Sequence, residues 1–202
     1  MHKQQHAAVS LIEYNYKKNF FDREIIFIKR AISEMDPWSG HCALPGGGVE
    51  SVDQDIVETA IRETKEEIGL PLSRVLYQRK LCKLIPRKVF NNSRLHLSCL
   101  VFKTEVLPIY YDVSEVSDIF TVPVGDFFNE KNFSFNRRTD SLEFISAMTN
   151  YKIWGLTLAL IFEYLYDAQP LLIRNLSFFD TYHKRKNSIL ELSYGENISI
   201  ES

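Results

Sequence analysis

Cysteine is scarce and odd in number: Cys42, Cys82 and Cys99 are the only three in 202 residues. They lack metal-ligand spacing and lie among apolar neighbours, which argues against a disulfide framework or a zinc site and for reduced core residues. Long apolar runs are also missing. The longest, Ile153 to Phe162, is far short of the ~20 residues that a membrane-spanning helix needs. Met1-His2-Lys3-Gln4-Gln5-His6 leads straight into a strand-like segment, without the apolar stretch of a secretory leader. There is no basic excess, because 24 Lys and Arg face 26 Asp and Glu for a net charge of −2. That balance argues against gripping nucleic acid by its phosphates. Repeats and low-complexity linkers are absent too. The expectation is a cytoplasmic protein with no nucleic-acid or membrane partner, whose 45% apolar content suits one core.

Two stretches stand out against this background. Leu44-Pro45-Gly46-Gly47-Gly48 reads as a tight turn, since glycine admits positive φ and lets a ligand approach the backbone. Arg62-Glu63-Thr64-Lys65-Glu66-Glu67-Ile68-Gly69-Leu70 reads as the acidic end of a helix that Gly69 closes. From Asp55 to Ile68, the apolar Val57, Ala60, Ile61 and Ile68 recur at helical spacing. At roughly 100° per residue, Glu63, Glu66 and Glu67 gather beside that stripe. Such crowding of negative charge costs stability unless a cation offsets it. A hard divalent ion that prefers oxygen ligands, Mg2+ or Mn2+, meets that need. A solvated acidic helix surface is the plainer alternative.

Together the two stretches resemble the Nudix box, in which a glycine is followed after five residues by Glu, and after seven more by Arg-Glu-apolar-x-Glu-Glu-x-Gly-apolar. Gly48, Arg62, Glu63, Glu66, Glu67, Gly69 and Leu70 match in register. Gln54 stands where the first Glu is usual, and Thr64 replaces the apolar residue. In the family that first Glu braces the turn and the arginine; here Asp53 and Asp55 flank Gln54 and could take over. Leu44-Pro45-Gly46-Gly47, Asp53 and Thr59-Ala60-Ile61-Arg62-Glu63 are similar to the coenzyme A pyrophosphatase-like branch, as is the segment around Ile153-Trp154-Gly155, which also reads as core. Asp36-Pro37-Trp38-Ser39-Gly40-His41, however, is not the basic run that accompanies coenzyme A specificity.

The resemblance implies an α/β fold, the Nudix-type α/β/α sandwich with a mixed β-sheet, over residues 1–168. Residues 169–202 form a C-terminal extension of unknown role. The implied reaction is hydrolysis of a diphosphate linkage in a small-molecule nucleoside diphosphate derivative, with Mg2+ or Mn2+ held by Glu63, Glu66 and Glu67. Glu66 or Glu115 is then the proton acceptor, and Arg62 orients the glutamates through a forked hydrogen-bond pair. Arg30, Trp38, His41 and Gly47 are the candidate substrate contacts: a phosphate-facing arginine, two pocket-lining rings and a closely approached backbone. A surface arginine and half-buried aromatics are their ordinary alternatives. A non-hydrolytic nucleotide-sensing domain is the competing class. Such a domain is expected to lose metal carboxylates, and all three are present here.

Along the chain, strands are expected at Ala7–Tyr16, Glu24–Arg30, Cys42–Leu44, Arg74–Ile85 and Leu95–Leu107, the last two paired antiparallel across a basic loop from Pro86 to Arg94. Ser114 to Val124 leads into a further strand, and short strands are expected at Phe133–Phe135 and Phe144–Ile145. A nearly all-round apolar helix, hence a buried one, begins at Tyr151 and ends near Asp167. Beyond it, Leu171–Ile173 and Ile189–Leu192 read as short strands or a dimer arm, which makes a homodimer one expected assembly. His183-Lys184-Arg185-Lys186 is a basic cluster.

Overall fold

The computed structural model describes residues 3–34, 36, 38–86, 93–180, 182–183 and 190–193. In chain order, β1 (Lys3–Tyr14), β2 (Glu24–Arg30), β3 (Cys42–Ala43) and β4 (Gly46–Gly48) precede α1 (Ile56–Ile68). Then follow β5 (Tyr77–Pro86), β6 (Ser93–Thr104), β7 (Val116–Pro123), β8 (Phe133–Asn136), β9 (Ser141–Ile145) and β10 (Lys152–Trp154). The chain closes with α2 (Gly155–Ala168), α3 (Pro170–Arg174) and β11 (Leu190–Ser193). One eight-stranded sheet runs β11-β5-β6-β1-β2-β3, with β4 also on β1 and β7 also on β2; β10-β9-β8 form a second, three-stranded sheet. The large sheet is mixed, since β1 lies parallel to β6 from Lys3↔Ser93 to Tyr14↔Thr104 while its other pairings are antiparallel.

Helices cover both faces, as the sandwich requires. Strand β2 shows why: Ile25 and Phe27 enter the cluster built on α2, whereas Ile26 and Ile28 enter the one built on α1. Alternation with both faces buried is the pattern of a central strand. The α2 side carries the larger core, including Phe127, Phe144, Phe162 and Tyr164, and α3 adds Ile173 to it. Both faces of the sheet are therefore packed, against α1 on one side and α2 on the other.

Several expectations need correction. The glycine triplet is a strand, β4, and not a turn: Gly46, Gly47 and Gly48 pair antiparallel with Val9, Ala8 and Ala7. Strand β1 starts at Lys3 because β6 supplies a partner along its whole length, and it stops at Tyr14 before Asn15 turns to φ +55°. Strand β5 starts at Tyr77 because Arg74 and Ser73 are spent in a turn whose carbonyls accept from Tyr77 and Leu76. The apolar run from Tyr151 is not all helix. Lys152–Trp154 pairs with β9, and Gly155, at φ +61°, marks the change to α2. Leu171–Ile173 is helical rather than extended, with Pro170 in the first turn, where proline is tolerated. Strand β11 pairs with β5 of the same chain. Residues 87–92 of the basic loop, 184–186 of the basic cluster and Ile189 lie outside the described residues, as do Met35 and Pro37.

Candidate active site

Helix α1 is set by its ends. Asp55 caps it, accepting from the Val57 and Glu58 N–H groups at 2.9 and 3.1 Å. Gly69 stops it in the left-handed conformation, φ +63°, with its N–H on the Lys65 carbonyl at 3.0 Å. The buried stripe Val57, Ala60 and Ile68 turns the next face towards β4. Thr64, at a position where the box prefers an apolar residue, is fully buried. Its hydroxyl donates to the Ala60 carbonyl at 2.7 Å and meets Ser10 Oγ of β1 at 2.8 Å. The polar substitution is thus answered across the sheet.

Glu67 is the most enclosed of the three carboxylates, 2% exposed. Its Oε2 accepts the Gly46 N–H at 2.8 Å, and its Oε1 lies 3.9 Å from Arg30 Nη1. Burial pushes its pKa up to about 8, with Glu63 and Glu115 adding to the rise against Gly46 and Arg30. Glu63 is also raised, by burial and by its acidic neighbours Glu66 and Glu115, against Arg62. Glu66 is 57% exposed. Arg62 holds both of these through Nη1, at 2.9 Å from Glu63 Oε1 and 2.9 Å from Glu66 Oε2, while Nη2 donates to the Gly48 carbonyl at 2.9 Å.

The brace on that arginine is Asp53. Arg62 Nε and Nη2 donate to its two oxygens at 3.0 Å each, the paired geometry in which arginine binds carboxylate best. Thr59 Oγ1 and the Glu50 N–H both donate to Asp53 Oδ2 at 2.9 Å. The Arg62 hydrogen bonds, helped by these neighbours, overcome burial and hold the Asp53 carboxyl down at about 2. Gln54 is exposed, and only its backbone N–H is engaged, on Glu58. A depressed folded-state pKa contributes stability that is present above the unfolded value near 4 and lost as pH falls towards 2. Asp53→Ala is therefore expected to cost about 2 kcal/mol at pH 7, against less than ~0.5 kcal/mol for Gln54→Ala. Urea unfolding at pH 7 and pH 3 checks both, since the difference between wild type and Asp53→Ala should shrink at the lower pH. Equal, negligible losses would remove Asp53 from the bracing role.

Glu115 comes to the same place from the start of β7. Its carbonyl accepts the Ala31 N–H at 2.8 Å, and its N–H donates to the Asp112 carbonyl at 3.1 Å. Asp112 in turn donates its N–H to the Glu67 carbonyl at 2.9 Å, tying this loop to the end of α1. The structure thus brings Glu115 close enough to Glu63 and Glu67 to raise the charging cost of both, with Glu66 at the rim.

The four candidate substrate contacts also converge. Arg30, Trp38, His41 and Gly47 border one cavity of about 1080 Å³, which reaches from β4 to the start of α2. Arg30 Nε donates to Asp36 at 2.8 Å, and the other Asp36 oxygen accepts the Trp38 N–H at 2.9 Å, fixing this corner. His41 lies 4.9 Å from the Trp154 ring, centroid to centroid. Burial, aided by Lys29 and Arg30 and opposed by Asp36, pushes the His41 pKa down. Trp154, read from sequence as a core residue, also lines the cavity. Its place next to a glycine at a helix start was the available signal. The Gly46 N–H that holds Glu67 had no signal at all.

Strand β4 separates the acidic helix from the cavity by one backbone thickness. Gly47, partner of Ala8, faces α1: a Cβ there would lie 2.5 Å from the Glu63 carboxyl carbon. Among the described residues, no three His, Cys, Asp or Glu side chains are gathered so as to hold a metal ion, and Arg62 draws Glu63 and Glu66 to itself. The donor chemistry nevertheless fits a hard divalent ion, because every candidate ligand is an oxygen and Glu67 is a buried carboxylate that only a cation would keep charged cheaply.

A family model described as NUDIX domain matches residues 4–139. An uncharacterized Nudix hydrolase NudL from Yersinia pestis is 28% identical over 141 residues, which are 67% of this chain and 68% of that protein. Among solved structures, a MutT/nudix family protein from Enterococcus faecalis is similar with a TM-score of 0.53 and 15% identity, over 83% of this chain and 64% of that one. The NUDIX domain of Shewanella oneidensis NrtR, complexed with ADP ribose, is similar with a TM-score of 0.50 and 16% identity, over 63% of this chain and 77% of that one. At such identities these structures support the fold alone.

Proposed function

This chain belongs to the Nudix family of pyrophosphohydrolases, and on that premise we propose that it splits the diphosphate of an adenosine diphosphate derivative, coenzyme A-like or ADP-ribose-like, with Mg2+ or Mn2+ on Glu63, Glu66 and Glu67. One observation carries the reading: a buried glutamate and its acidic neighbours stand on one side of a glycine strand whose other side opens on a ligand-sized cavity. When bound, the divalent ion offsets phosphate charge and makes water a better nucleophile. Arg62, clamped by Asp53, sets the side chains of Glu63 and Glu66. Glu115 and Glu66, both exposed, are the carboxylates able to take the proton of the attacking water. Arg30 and the backbone of Gly47 face the diphosphate. Trp38 offers a flat surface for a base, a contact worth ~1–3 kcal/mol in nucleic-acid complexes.

The test is release of AMP from ADP-ribose, NADH and diadenosine polyphosphates, and of adenosine 3′,5′-bisphosphate from coenzyme A, with Mg2+ and with Mn2+. Absence of hydrolysis throughout, with nucleotide binding retained, would turn the protein into a binding module. Because the segment before the glycine strand lacks the basic run of coenzyme A recognition, at least one other adenosine diphosphate derivative is expected to be turned over comparably. Trp38→Ala should then raise KM roughly 5- to 100-fold while changing kcat less, since stacking holds ground state and transition state alike. A lowered melting temperature with KM unchanged would mean that Trp38 only packs the corner beside Asp36.

A further inference from the structure

Hydrolysis at the acidic face of β4 leaves most of the cavity on its other face without a task. The floor of that cavity is Ala7 and Val9 of β1 with Leu95 and Leu97 of β6, Ala7 and Leu97 being register partners; Leu156 and Leu160 of α2 close it from above. Gln4, Gln5, His6, Trp38 and His41 also border it, with Arg30 and Thr157, two polar residues that are partly engaged elsewhere. Thr157 Oγ1 donates to the Cys42 carbonyl at 3.1 Å, and Arg30 Nε to Asp36 at 2.8 Å. The wall between β1, β6 and α2 is therefore mainly carbon, with the polar residues in the minority. Its volume of about 1080 Å³ is large for a small-molecule site.

We propose that the cavity takes the second arm of the substrate, the group beyond the diphosphate, and that this arm is a long aliphatic chain. The inference rests on the hydrolase reading for its phosphate end. Water adds to one phosphorus, the bridging P–O bond breaks, and a nucleoside monophosphate and an alkyl phosphate leave. The proton of the water passes through a carboxylate to solvent. An apolar arm gains from the cavity because its burial removes carbon surface from water, whereas a polar arm laid along the leucine and alanine wall would lose hydrogen bonds that this wall does not replace.

ADP esters of straight-chain alcohols from ethanol to octanol, compared with ADP-ribose on the full chain, test this. The value of kcat/KM is expected to rise roughly two- to fourfold per added methylene until the cavity fills. Ala7→Phe, which narrows the floor, should lower the octyl-to-ethyl ratio at least ~10-fold. Octyl phosphate should raise the melting temperature of the wild type and not of that variant. If Ala7→Phe does not fold, Leu156→Trp, at the half-buried start of α2, makes the same comparison. A flat chain-length profile with ADP-ribose hydrolysed overturns the aliphatic assignment and leaves the hydrolase reading standing. No hydrolysis of any ester, with octyl phosphate still stabilising, does the reverse. Octyl phosphate without effect on melting counts against the cavity whatever is turned over.

Discussion

Glu67→Gln is expected to lower hydrolysis at least ~100-fold at saturating Mg2+ or Mn2+, and at the same time to make the metal-free protein more stable. The two effects share one cause. Glu67 is 2% exposed, and burial pushes its pKa to about 8, against an unfolded value near 4.3. A carboxylate whose folded pKa is raised contributes stability that is complete below the unfolded pKa and lost as pH climbs through the folded one. The metal-free wild type should therefore melt lower at pH 9 than at pH 6. Glutamine keeps the shape and can still accept the Gly46 N–H, yet carries no charge to desolvate. At pH 9 the variant should gain a few kcal/mol at most, or on the order of 2–4 °C for each kcal/mol. Adding Mn2+ should restore the wild type and leave the variant unmoved, because the amide is a poorer ligand. Full turnover by the folded variant would remove Glu67 from the metal set. An unchanged melting temperature across that pH range would mean that its charge is already offset within the protein.

Much of this site could be read from the chain, and what could not follows a physical pattern. The C-terminal end of α1 was legible because a cap is local: a glycine after the last turn acts within a few residues. The brace was legible as a choice between Asp53 and Asp55, because Asp53 is only nine residues from the arginine that it holds. The hydroxyl pair of Thr64 and Ser10 spans 54 positions and exists only once β1 lies across α1. Strand β1's parallel partner was likewise hidden, since alternation marks a strand but does not say which neighbour completes it. The segment from Lys152 misled because a buried strand and a buried helix look alike when both are apolar on every side. The glycine triplet misled differently. Glycine permits a turn, but here it is needed because another backbone comes too close for a side chain.

That close approach makes Gly46→Ala the most damaging of three neighbouring substitutions. Gly46 sits at φ +148°, and a Cβ on it would lie 2.1 Å from the Ala8 carbonyl oxygen, 2.6 Å from Val9 Cα and 3.0 Å from the Ala8 carbonyl carbon. These are backbone atoms of β1, and they cannot retreat: β6 is bonded along one edge of that strand, and β2 with β4 along the other. Movement would have to come from β4 instead, breaking the Ser10 N–H to Pro45 carbonyl bond of 2.8 Å and the Gly46 N–H to Glu67 bond of 2.8 Å. Backbone strain and a lost buried hydrogen bond together should cost ~3 kcal/mol or more, a fall of roughly 6–12 °C in melting temperature. The atoms nearest a Cβ at Gly47 are the end of the Glu63 side chain, at 2.5 Å. Gly47→Ala should melt close to wild type yet lose activity, because the displaced carboxylate is a candidate ligand. At Gly48 a Cβ meets nothing within 4 Å, so alanine there should stay within ~0.5 kcal/mol of wild type. Melting curves and one rate assay on the three variants separate these outcomes. Equal stability of Gly46→Ala and Gly48→Ala would show that β4 does not lie against β1 as described, and with it would go the partition between the acidic helix and the cavity.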